Sequence, residues 1–323
     1  MTYASDDPRS ALAAKPGEAA AAPAADPHAP IAAPEYYDFS RLGPDEVSEA
    51  GSRTWIVRAQ NVVLLYTRAV AGERLIRDGQ RDEYMVILPH DDAKVVIESA
   101  SASGRASGGD GESVTGRSIA IVPPGDSVIT VESATDVVRL FTPHNDDLAR
   151  RARNADSYAA PHPRVALLAE WPEPVGGDKL RVYSDISEIE RSPDRLGRIF
   201  RSRAFMANFL YHYDGPRDAT KLSPHDHADF EQISLAVSGE FVHHIRTPWT
   251  KSRMAWRDDE HVRVGSPSVA IIPPPAVHTT EASGHGRNQL LDIFAGPRRD
   301  FSAKRGWVLN AGDYPAPDDV EER

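Results

Sequence analysis

The chain reads as an all-β protein built by duplication, on three observations. Its apolar segments are short, rich in Val and Ile, and bounded by Gly, Pro, Asp or Ser. Two of them recur in order about 150 residues apart. No run of alternating strands and amphipathic helices suggests a parallel α/β sheet. Many short strands with regular turn signals indicate a barrel or sandwich.

The order of elements follows. Residues 1–34 are Ala/Pro-rich with almost no large apolar side chains, a composition that cannot offset the entropy of ordering, so a disordered tail is expected. Strand-like runs then follow one another: TWIVRAQNVVLLYTRAV, EYMVILP, AKVVIES, SIAIVPP, SVITVES and VVRLFTP. A Ser/Gly run, SASASGRASGGDGESVTG, interrupts them as a flexible loop. The best helical candidate is DDLARRARNADSYA, between the halves. Strands resume with RIFRSRAFMANFLYHYD, FEQISLAV, EFVHHIRT, PSVAIIPP and QLLDIFAG. GRSIAIVPPGDSV (Gly116–Val128) matches GSPSVAIIPPPAVH (Gly265–His278), and DEYMVILP aligns on FEQISLAV so that Glu83 faces Glu231. So long a period means a duplicated domain. The expected division is a tail over 1–34, a first domain over 35–150, a connecting segment over 151–190, and a second domain over 191–323 that ends in an arm carrying Phe301, Trp307 and Tyr314.

Composition narrows the function. A formal net charge of −11 argues against a nucleic-acid backbone or an anionic membrane as partner. With no cysteine, a metal must be held by His, Asp or Glu. No apolar run approaches the ~20 residues that span a bilayer, and no secretory h-region is visible, so a cytoplasmic protein is expected. Neither a phosphate-binding Gly loop nor a nucleophile elbow is present.

The chemistry gathers in SPHDHADFEQISLAVSG, Ser223–Gly239. His225, His227 and Glu231 share parity, so an extended backbone would aim all three one way. His278, after a proline-stiffened turn, can close the site from another strand. Three imidazoles and a carboxylate hold a divalent ion and leave positions open for a substrate.

These two segments resemble the paired motifs of the cupin superfamily. His225, His227, Glu231 and Gly239 match the first motif. Gly265 and His278 match the second, with Pro275 where a glycine is usual. The resemblance implies two tandem cupin-type β-barrels (double-stranded β-helix or jelly roll), a bicupin, with His225, His227, Glu231 and His278 as ligands of one ion per chain. In the first half Arg77, Gly79 and Val128 fall opposite the three histidines, which implies a barrel that has lost its metal. Fe(II) is the leading metal, with Mn, Ni, Co, Cu or Zn as alternatives. The leading activity is an Fe(II) dioxygenase that acts with dioxygen on a small chelating organic substrate such as a catecholate, a diketone or a hydroxy acid. The alternatives are a non-oxidative isomerase, decarboxylase or lyase, and a sensory bicupin without turnover. A homodimer is expected. Should Glu231 not bind metal, it is a candidate general base. Arg203, His212, His243 and Arg246 are candidate substrate contacts, weighed against wall packing for the histidines and a solvated edge for the arginines, Arg198 and Arg201 included.

Overall fold

The computed structural model describes residues 29–100 and 111–320. Most of the tail (1–28) and the middle of the Ser/Gly run (101–110) lie outside the described residues. The last residues of the expected tail, 29–34, are placed: Ala29 and Ile31 are buried, and Arg164 and Arg257 donate to the carbonyls of Ala29, Ile31 and Ala32. The expected helix shrinks to Asp146–Ala149 and a 3-10 turn at Ala155–Tyr158. No described helix is long and apolar enough to cross a membrane.

Apart from short helical turns at Ile186–Glu188, Arg253–Ala255 and Arg299–Ser302, the remaining regular structure is β, in two barrels that each pair a seven-stranded sheet with a smaller one. In the first barrel the large sheet runs Arg181–Tyr183, Ser118–Val122, Tyr84–Leu88, Thr135–Phe141, Val63–Ala69, Arg53–Arg58, Glu46–Val47. In the second it runs Glu35–Asp38, Ser268–Ile272, Gln232–Ser238, Arg287–Phe294, Met206–Leu210, Gly197–Arg201, with Tyr213–Asp214 beside Arg287–Phe294. The registers confirm the duplication: Tyr84 pairs with Val122 as Gln232 pairs with Ile272.

The outer faces of the two large sheets share one core. Trp55, Leu64, Met85 and Ile121 from one pack with Phe209, Ile233, Ile271 and Leu291 from the other. The central strands therefore have two buried faces, which accounts for near-continuous apolar runs such as YMVIL and SVAII.

The two units also exchange strands, which corrects the expected boundaries. Glu35–Asp38 pairs with Ser268–Ile271 of the second barrel, although it precedes the first. Arg181–Tyr183 pairs with Ile119–Ile121 of the first, although it precedes the second. A reciprocal set of hydrogen bonds fastens the exchange. Glu83 accepts from the Arg203 backbone N–H (2.6 Å) and the Tyr314 hydroxyl (3.1 Å). Glu231 accepts from the Gln60 N–H (2.6 Å) and the Tyr158 hydroxyl (2.9 Å). Each acid thus reaches a hairpin of the opposite barrel and a tyrosine from the segment that follows that hairpin's barrel. Burial pushes the Glu83 carboxyl up, opposed by Arg203. Removing one partner of a buried hydrogen bond costs about 1–3 kcal/mol. Tyr314→Phe should therefore lower the unfolding free energy by that amount in urea titration without loss of bound metal. An unchanged midpoint would show that the bond is not stabilising.

Candidate metal centre

His225 and His278 sit directly opposite each other in an antiparallel bridge, with N–H···O bonds of 3.0 and 2.7 Å in the two directions. Residues so paired project their side chains to the same face. His227, two positions on, joins them: one ring nitrogen from each of His225, His227 and His278 lies within 4.8 Å of the others. His227 and His278 are each 2 % exposed. Nδ1 of His225 lies 2.9 Å from the Ser223 carbonyl, and Nδ1 of His278 lies 2.9 Å from the Ala276 carbonyl. A carbonyl can only accept, so both Nδ1 atoms carry hydrogen and the Nε2 lone pairs remain for a metal.

Glu231 is not in this cluster, which corrects its expected place as ligand. The chain bends at 228–229, and this bend turns Glu231 away from the face that His225 and His227 share. The strand that follows begins at Gln232, and its side chain faces inward instead. Glu231 is turned to the interface between barrels, where it holds Gln60, Tyr158 and, at 3.4 Å, His162 Nδ1. The same engagement leaves it outside the cavity as a general base.

The group that meets the histidines is Gln232. Its Oε1 lies 2.9 Å from His227 Nε2 and 3.3 Å from His278 Nε2. Which end of the amide faces the histidines follows from its other neighbours. Nε2 lies 3.0 Å from an Asp292 carboxylate oxygen and 3.0 Å from Ser234 Oγ, which itself donates to Asp292 (2.9 Å). A carboxylate accepts, so the NH2 must face Asp292 and the oxygen must face the imidazoles. Three imidazole nitrogens and an amide oxygen fit a divalent ion, and Asp292 orients the oxygen from behind. All four donors are neutral, so a dication there would keep its full charge.

The site opens into a cavity of about 590 Å³ lined by His225, Gln232 and His278 and by four cations, Arg191, Arg195, Arg217 and Lys221. Asp292 is the one acid on its wall among the described residues, and it already accepts from Gln232 and Ser234. Arg217 joins the two ligand-bearing segments: it donates to the Thr280 carbonyl (3.2 Å), the Lys221 carbonyl (2.8 Å) and Ser223 Oγ (3.1 Å). Arg191 donates to the His212 carbonyl and rests over the Tyr211 ring. For Arg191, Arg195 and Arg217 the hydrogen-bond acceptors are neutral.

Of the four candidate substrate contacts, only His212 lines this cavity. Arg203 turns away to Glu83, Glu173 and Asp178. Arg246 is an exposed partner of Asp259. His243 faces inward but is sealed behind the wall, with Nδ1 3.0 Å from Thr280 Oγ1, and burial pushes its pKa down to about 3. Arg198 and Arg201 are not on a solvated edge; both are buried on carbonyls, of Ser187 and Ile189 for one and Tyr314 for the other. Sequence reasoning missed Gln232, Asp292 and Arg217. The repeat held the clue to the first: Glu83 recurs in a barrel without metal ligands, so its counterpart Glu231 serves something both halves share.

Metal analysis of purified variants tests the ligand set. His278→Ala and Gln232→Ala should lose bound metal, whereas Glu231→Gln should keep about one ion per chain. Asp292→Asn can present an NH2 to Gln232 and reverse its amide, and should weaken metal binding by roughly 10–100-fold.

No family model and no curated protein matches the chain. Solved structures do. An oxalate decarboxylase of Lactobacillus farciminis, in complex with formate, superposes with a TM-score of 0.51 at 14% identity, over 81% of this chain and 86% of that one. Two further oxalate decarboxylase structures give TM-scores of 0.51 and 0.50, again at 14% identity. They cover 85% and 84% of this chain and 79% and 80% of theirs. At this identity the likeness is one of fold: the chain shares with these structures an architecture of two tandem cupin-type β-barrels.

Proposed function

We propose that the chain is a metal-dependent enzyme of the second barrel that acts on a small organic anion by non-oxidative chemistry. The observation that carries this is the charge of the site: four neutral donors below a wall of four cations, in a protein of net charge −11. When bound, a divalent ion supplies Lewis-acid polarisation of a coordinated substrate oxygen. The chain's own residues do the rest. Arg217 keeps Nε–H and one Nη1 hydrogen without a partner among the described residues, and these can donate to a carboxylate at the cavity wall. Arg191 and Lys221 add positive potential around it. Leu210, Phe241 and Leu290 supply the apolar wall. An organic acid that chelates through two oxygens suits this lining, and the matched bicupins carry the name of one such acid, oxalate.

The oxidative reading, an Fe(II) dioxygenase, counted the Glu231 carboxylate as a ligand beside the three histidines. With Gln232 in that place the donor set is neutral, which favours Lewis acidity over electron donation to dioxygen. Assays of metal-loaded protein with hydroxy acids, keto acids and dicarboxylates, run in air and under argon, separate the two. We expect turnover at equal rates in both; stoichiometric oxygen uptake would reverse the order of the readings. Arg217→Gln should weaken the anionic substrate by about 10–100-fold, the equivalent of one charge-assisted hydrogen bond, with metal content retained. An unchanged KM would place the anion elsewhere.

A further inference from the structure

The first barrel has its own interior, and sheet register shows which residues fill the positions of the metal site. Arg77 pairs with Ser127 as His225 pairs with His278. Tyr84 occupies the place of Gln232. Arg139 faces Val86 as Asp292 faces Ser234. This corrects the expected match of Val128 to His278. Val128 pairs with Ile76, whereas the buried Ser127 stands in the histidine's place because the turn before it is one residue shorter. Gly79 is on the same strand but lies beyond this pairing. The exchange inverts the charge of the site: imidazoles and an acid in one barrel, two guanidiniums and two hydroxyls in the other.

Arg139 is the unusual member. It is flanked on its face by Val137 and Phe141 in the apolar core of the first barrel, and is 7 % exposed. Its Nε has no hydrogen-bond partner, and among the described residues no carboxylate lies within 4.0 Å of its guanidinium. Its field reaches Glu73, but that carboxylate already accepts from Ser48 Oγ and Arg74 N–H. Glu46, further off, pairs with Arg151. A buried charge without a partner costs several kcal/mol. Arg77 lies 5.2 Å over the Phe141 ring, with its guanidinium already held by Gln80, Asn145 and the half-exposed Asp147. The groups around Arg139 suit an anion. The Tyr84 and Ser127 hydroxyls are 2.9 Å apart; one donates to the other, which leaves one hydroxyl hydrogen to donate further.

We propose that the first barrel is an oxyanion site that takes a carboxylate, phosphate or sulfate group on Arg139, assisted by the Tyr84–Ser127 pair. The site is independent of the metal centre. Calorimetric titration of the full chain with acetate, phosphate and sulfate, each at constant ionic strength against chloride, tests it and identifies the anion class. We expect one saturable site per chain for at least one of them, in the wild type and equally in His278→Ala. Arg139→Met should weaken it at least tenfold while it raises the melting temperature of the anion-free protein. Should that variant not fold, Arg139→Lys keeps the charge but not the fork, and should bind more weakly than wild type. The proposal is overturned by the absence of saturable binding in the wild type, by undiminished affinity in the Arg139 variants, or by loss of the site in His278→Ala, which would assign the anion to the metal centre.

Discussion

Neighbouring residues on a strand cannot share a face, and the architecture turns on how one pair obeys this. At the start of the Gln232–Ser238 strand, Gln232 points into the barrel and Glu231 points out of it. The inward side chain meets His227 and His278; the outward one anchors the other barrel. Metal centre and domain interface are therefore built from consecutive residues, and the backbone that fixes one fixes the other. The first barrel repeats the arrangement with Tyr84 inward and Glu83 outward.

This duplication sorts structural from chemical residues. What recurs in both halves holds the molecule together. The two glutamates each take a backbone N–H and a tyrosine hydroxyl from across the interface. Asn154 and Asn310 each bridge the N–H and carbonyl of one hairpin residue, Arg58 and Arg201. What differs between the halves lies inside the barrels, where one interior suits a cation and the other carries Arg139, whose Nε has no hydrogen-bond partner among the described residues. Strand exchange and the shared apolar core join the halves through their outer faces, so divergence inside one barrel need not disturb the other.

Much of this was legible in the sequence. The short β-branched apolar runs, the Pro-Pro repeat and the two histidine motifs suffice for two β-barrels and for a cluster of His225, His227 and His278. Three things were not legible. The bend at 228–229 breaks the parity count that seemed to carry Glu231 inward, and no residue type there announces it. The exchanged strands Glu35–Asp38 and Arg181–Tyr183 pair with sequence-distant partners, so local pattern cannot assign them. The arginines were read as solvated because charge is usually exposed, whereas Arg198 and Arg201 bury their guanidiniums on backbone carbonyls, a pairing composition does not encode.

The central claim is that one ion is held by His225, His227, His278 and the amide oxygen of Gln232. Diffraction from metal-loaded crystals at the absorption edge of the bound metal tests it directly. The account predicts one anomalous peak per chain, in the second barrel, within bonding distance of three imidazole nitrogens and Gln232 Oε1. A peak ligated by the Glu231 carboxylate, or a second peak among Arg77, Tyr84 and Ser127, would contradict it.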